Sequence, residues 1–207
     1  MKINISCPCG NNFPFSFEEE VDIDKNPNHL EDIQQGKFLS FDCPSCFKQH
    51  KPEYKIIIIW KSRNYKLAVI PELDRNMFYI KKKENPPFET VIGFPEMIDR
   101  IKVLNDNLEP VVIEAIKTFL IAKAMESYND NNDNNINVWY HRKTDDGLEF
   151  HLEGIKQDEV AVVKIPLDMY AKTLQDYEKN PQKALFASLR VRKYLSVQNI
   201  YRPDVLK

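Results

Sequence analysis

Glycine is scarce in this 207-residue chain, with five in all, and none falls in GxGxxG or GxxxxGK(S/T) spacing. That excludes the glycine-rich loops whose bare backbone cradles nucleotide phosphates. His-Glu-x-x-His and Gly-x-Ser-x-Gly are also missing, so neither a helix-borne zinc hydrolase site nor a nucleophile elbow is written here. Long apolar runs are lacking too. The longest, IIIIW at 56–60, falls far short of the ~20 residues of a bilayer span, and the greasy stretch 111–125 carries Glu114, Lys117 and Lys123. No membrane partner is expected. The opening MKINISCPCG has no apolar h-region, so no secretory signal is expected and the protein is expected to be cytoplasmic. Charge of one sign is not in surplus: 29 Lys and Arg face 31 Asp and Glu. No global field draws the chain to nucleic acid, and only a local basic patch could do so.

Periodicity points to an α+β fold whose N-terminal part is rich in strands. Residues 2–6 and 12–23 read as extended, with Phe13, Phe15 and Phe17 on one face, and Pro14 marks an edge strand. Residues 26–36 form a short helix with Asn28 as N-cap and Gly36 as terminator. Strands are expected at 37–43 and 77–83, and a hairpin turns around Ser62-Arg63-Asn64. Helices are expected at 94–106 and 108–128. The charges of the second, Glu114, Lys117, Lys123 and Glu126, are scattered round its wheel, so it should be a central, largely buried element. The stretch NDNNDNNIN at 129–137 reads as an exposed loop or linker. Beyond it come three strands with a turn at Asp146-Gly147, then helices at 166–180 and 181–195. The expected division is 1–128, the linker 129–137, and an α+β segment 138–207.

The four cysteines sit in two Cys-Pro turns, Cys7-Pro8-Cys9-Gly10 and Cys43-Pro44-Ser45-Cys46. One tight turn presents only two sulfurs on one side, so two such turns brought together make a closed tetrahedral set. Cys7, Cys9, Cys43 and Cys46 are therefore expected to hold one structural zinc ion. Buried inert thiols, disulfides, and a thioredoxin-like Cys43/Cys46 redox pair are the competing readings. The last needs a helix after the first cysteine, whereas FKQHKPEYK looks extended. His29 and His50 are the nearby imidazoles that could substitute as ligands; each reads as an ordinary solvated residue. His141 and His151 read as structural.

With both turns, the IIIIW/LAVIP hairpin and the segment 94–123 in place, the chain resembles the bacterial CpXC domain family, named for its Cys-Pro-x-Cys motifs. The likeness covers roughly residues 3–128. It implies a zinc-ribbon-like fold with no established activity, and it supplies no catalytic residues. The chain departs from the pattern twice. The first motif lacks the x, and Phe47 follows Cys46 where such knuckles usually have glycine.

A closed four-sulfur shell leaves no position for an activated water. The expectation is a non-enzymatic protein-interaction module, with no catalytic or cofactor-binding residues beyond the metal set. A nucleic-acid-associated zinc ribbon, drawing on Arg190, Arg192, Lys193 and Arg202, is the first alternative. A thiol-redox enzyme using Cys43 and Cys46 is the second. Residues 18–24 (EEEVDID) and the lysines at 81–83 read as solvated charge.

Overall fold

The computed structural model describes residues 1–81, 85–127 and 136–201. Lys82, Lys83, Arg202 and most of the Asn/Asp-rich stretch lie outside the described residues. The fold is α+β, in two compact units, 1–98 and 99–207.

The first unit begins with β1 (Lys2–Ser6) and β2 (Asn12–Ser16), an antiparallel ribbon in which Asn4 faces Pro14. In a two-stranded ribbon each strand has a free edge, which is why Pro14 is tolerated. After β3 (Glu20–Asp22) comes α1 (Asn28–Gln34). Asn28 is its first residue, not its cap; Asn26 Oδ1 accepts the Asn28 N–H at 3.3 Å one step earlier. A second small ribbon pairs β4 (Phe41–Asp42) with β5 (Gln49–His50). The strand expected over 37–43 is confined to its last residues. The N–H groups of Lys37 and Phe38 turn back to the Asp32 carbonyl, and Leu39 takes φ +53°.

The sheet of this unit runs β3–β6–β7–β8, with β6 at Ile56–Trp60, β7 at Tyr65–Ile70 and β8 at Glu89–Ile92. Ile56, Ile58 and Trp60 are buried while Ile57 and Ile59 are half-buried. That is period-2 alternation, and each fully buried Ile contributes about 1.5–3 kcal/mol. The β6–β7 connection turns through Lys61–Arg63, with Asn64 left-handed at φ +50°. Between β7 and β8 lies α2 (Arg75–Ile80), where a strand was expected over 77–83. The neighbours Phe78 and Tyr79 are both buried there. Arg75 anchors the helix. Its guanidinium binds Glu72 at 2.6 and 2.7 Å, Glu96 Oε1 at 3.0 Å and the Ile92 carbonyl at 3.1 Å.

The division between units falls within α3 (Phe94–Asn105). The second unit is built on α4 (Pro110–Ser127), buried nearly all round as its scattered charges imply. Packing groups α4 with the strands that follow it. An antiparallel sheet of β9 (Asn137–Lys143), β10 (Gly147–Glu153) and β11 (Val160–Pro166) supplies Val138, Tyr140, Leu148, Phe150 and Leu152 to that core. Gly147 is held bare, since a Cβ there would lie 2.7 Å from the Ile165 carbonyl oxygen. Then come α5 (Leu167–Lys179), α6 (Ala184–Ser188), β12 (Arg190–Val191), β13 (Tyr194–Leu195) and α7 (Gln198–Tyr201). The helix expected over 181–195 thus ends at Ser188. A hairpin replaces it, with Arg192 left-handed at φ +58° in the turn, and the Asn199 amide donates to the Leu189 and Tyr194 carbonyls.

Two of the α4 charges lie inside the core. Lys117 Nζ sits 2.6 Å from Asp99 Oδ2 and 2.8 Å from Glu114 Oε1. The spare carboxylate oxygens accept the N–H groups of Tyr140 (2.5 Å) and Val197 (2.7 Å). Burial alone would lower the Lys117 ammonium, but attraction from Asp99 and Glu114 outweighs it and raises it. Replacing Lys117 by Met would leave two carboxylates buried without their cation. The expected loss is about 3–5 kcal/mol in urea unfolding followed by far-ultraviolet circular dichroism; a loss near zero would contradict this account.

In the first unit, Lys61 and Ser62 tie the turn after β6 to Asp22 and Asp24. The Lys61 hydrogen bond holds the Asp22 carboxyl below its ordinary 3.8, and Ser62 does the same for Asp24. Both folded values are depressed, so the stabilisation is complete above the ordinary value and is lost as pH falls through the lower folded one. Acid titration of the Asp22→Asn/Asp24→Asn double variant should therefore show a shallower loss of stability below about pH 4 than the native chain; identical slopes would refute it.

Candidate metal centre

Each small ribbon ends in a cysteine turn. In the first, the Cys7 N–H donates to the Asn11 carbonyl and the Gly10 N–H to the Cys7 carbonyl, both at 2.9 Å. In the second, the Cys43 N–H donates to the Lys48 carbonyl and the Phe47 N–H to the Cys43 carbonyl, also at 2.9 Å. The two turns follow one plan, the first a residue shorter. Gly10 (φ +90°) and Phe47 (φ +58°) take the equivalent left-handed place after the last cysteine. Glycine occupies such a place freely, whereas a side chain costs about 1–2 kcal/mol. Phe47 accepts the strain with its ring 78% exposed.

The four sulfurs meet. Cys7 Sγ lies 3.6 Å from Cys46 Sγ, Cys9 Sγ lies 3.8 Å from Cys43 Sγ, and all four fall within 4.8 Å of one another. A tetrahedral ion with bonds of about 2.3 Å to sulfur needs sulfur–sulfur edges of roughly 3.8 Å. The donor set fits such an ion. A disulfide, by contrast, needs about 2.05 Å, and all four thiols are free. Cys7 and Cys43 are buried, Cys9 and Cys46 exposed.

The turns polarise the sulfurs unequally. Burial would raise the Cys43 thiol, but N–H groups of Cys46 and Ser45, the Asn11 amide and the Cys7 thiol together push it down to about 6. The Cys9 N–H pulls the Cys7 thiol down, yet burial and the three neighbouring sulfurs prevail and push it up to about 12. The Lys48 N–H lowers the Cys46 thiol, but Cys9 and burial raise it on balance. A cluster that hinders its own full ionisation is relieved by a cation that binds thiolate.

The four cysteines singled out in the sequence are thus brought together. His29 is not among them; it contacts Asn26 at 3.1 Å and meets the ring of Phe38. His141 and His151 stack on each other at 4.1 Å on β9 and β10. Of the two side chains beside the sulfurs, His50 is one of the imidazoles named from the sequence, whereas Asn11 carries no signal of its own there. His50 Nε2 lies 3.3 Å from Cys7 Sγ, and Asn11 Nδ2 lies 3.8 Å from Cys43 Sγ. For Asn11 the available signal was placement alone, because it stands at the mouth of a cysteine turn, next to a strand end. Among the described residues, no helix is long and apolar enough to cross a membrane.

The chain is similar over nearly its whole length to an uncharacterised protein of Treponema pallidum (strain Nichols). The two are 27% identical over 224 residues, covering 96% of this chain and 98% of the relative. No solved structure matches. The family model described as CpXC protein matches residues 5–117, which takes in both cysteine turns, the β6–β7 hairpin, α3 and the first part of α4. The chain belongs to the CpXC family.

Proposed function

We propose that residues 1–98 form a zinc-stapled platform for a protein partner, without catalytic activity of its own. The observation that carries this reading is the convergence of four sulfurs from two separate turns to within 4.8 Å. Soft thiolates in tetrahedral number favour zinc over harder cations. Cys7, Cys9, Cys43 and Cys46 would hold the ion, which supplies no reaction, only a cross-link between two ribbons too small to persist alone. A cytoplasmic setting, where thiols stay reduced, suits such a shell.

Partner binding is supported by the surface of the same unit. Phe47 projects from the second turn, and Leu73, Met77 and Ile80 are exposed at intervals of four and three residues. A hollow of 310 Å³ lined by Phe38, Phe94, Met97 and Ile98, with Lys51 and Glu53 beside it, offers a seat for an apolar side chain. A nucleic-acid partner is less well supported. Net charge is −2, and Arg190, Arg192 and Lys193 lie on the short β12–β13 hairpin instead of the helical face expected of them.

One observation favours a redox reading, namely the Cys43 thiol pushed down to about 6. Its sulfur belongs to a fully buried residue, however, and a working thiol must reach its substrate. Purification without added metal should yield one zinc per chain, and removing it with a strong chelator should lower the melting temperature and expose four titratable thiols. Cys43→Ser should abolish stoichiometric zinc. A metal-free preparation that is equally stable and exchanges disulfides catalytically would replace this reading with the redox one.

A further inference from the structure

The two turns differ by one residue, and that deletion changes what reaches the first sulfur. In the longer turn the N–H groups of Ser45 and Cys46, two and three residues on, both bear on the Cys43 sulfur. In the shorter turn the Cys9 N–H, two residues on, bears on Cys7. The next N–H, that of Gly10, is already committed to the Cys7 carbonyl at 2.9 Å. Between the cysteine and the N–H that closes its turn, the longer turn thus has two N–H groups, of Ser45 and Cys46, and the shorter has one, of Cys9. Beside Cys7 stands the imidazole of His50, with Nε2 3.3 Å from Cys7 Sγ.

We propose that His50 supplies the N–H that the shortened turn cannot. A neutral ring with its proton on Nε2 donates to the Cys7 thiolate and holds that sulfur in its metal-binding pose. This rests on the reading of the four cysteines as a metal centre. A thiolate has no hydrogen to give, so the bond forms with the proton on Nε2, and a charge-assisted bond of this kind is stronger than one between neutral groups. The ring is held by aromatic neighbours. It stacks on Phe41, the residue facing it across the ribbon, at 5.7 Å and 15°, and meets the edge of Phe13 at 6.2 Å. Phe13 in turn packs on Phe41 at 5.8 Å.

His50 is thus a positioning residue and not a ligand, for the ligand atoms that cluster within 4.8 Å are the four sulfurs. Asn11 acts in the opposite direction, from the first turn to Cys43 at 3.8 Å, so each turn lends a donor to the other.

The test is zinc affinity of the full chain, measured by competition with a chromophoric chelator, for the native protein, His50→Phe and His50→Gln. Phe keeps a ring for the stack and removes the donor; Gln keeps an N–H. His50→Phe should bind zinc about 10–100-fold more weakly, and His50→Gln should recover most of the loss. Ring nitrogen shifts of His50 in the zinc-loaded native chain should show Nε2 protonated and Nδ1 bare; that measurement decides the matter if the Phe variant misfolds. Native affinity in His50→Phe, or an unprotonated Nε2, overturns the proposal while leaving the metal centre standing. A native chain that takes up no zinc at all overturns both.

Discussion

Two turns, 34 or more residues apart in the chain, place four sulfurs at 3.6–3.8 Å across the pairs that face each other. Thiolates at that spacing repel one another, so each raises the cost of the next. The spread between Cys43, pushed down to about 6, and Cys7, pushed up to about 12, expresses that conflict. A divalent cation would resolve it, turning four mutually hindering groups into one closed shell. The ribbons β1–β2 and β4–β5 are too short to be stable as isolated hairpins. Aromatic packing of Phe13, Phe15 and Phe41 joins them below the sulfurs, and the metal would lock the other end.

The second unit manages buried charge differently. Asp99, Lys117 and Glu114 form a closed set of one cation and two carboxylates, whose remaining oxygens accept backbone N–H groups. Every member is satisfied by atoms of the chain itself, and no external ion is required. The same demand, that charge be compensated, is met by side chains in the second unit and would be met by an ion at the cysteine turns of the first. The charged set in the second unit is a structural device, reaching from the start of that unit to Val197.

Much of this was legible in the residues. Period-2 burial in IIIIW and the all-round apolarity of 110–127 state their roles directly, as does the paired spacing of the cysteines. Misreadings arose where tertiary contacts override local pattern. Residues 77–83 read as a strand, yet Arg75 binds Glu72, Glu96 and the Ile92 carbonyl, and this fixes a helix over 75–80 that buries Phe78 and Tyr79 together. LRVRKYL looks helical, but Tyr194 and Leu195 are buried as a strand and Arg192 takes the left-handed turn. His50 was legible as an imidazole close to the second cysteine turn, but its contact with Cys7 was not, because that contact spans 43 residues and depends on how the two ribbons face each other. Phe47 was noticed as the residue replacing glycine, but its left-handed backbone and exposed ring emerge only from the geometry of the turn.

The central claim is that one ion is held by all four sulfurs. X-ray absorption at the zinc edge, on protein purified without added metal, tests it directly. The account predicts a single shell of four sulfur neighbours at about 2.3 Å. A shell containing nitrogen or oxygen in place of any sulfur, or protein that carries no zinc to absorb, would contradict it.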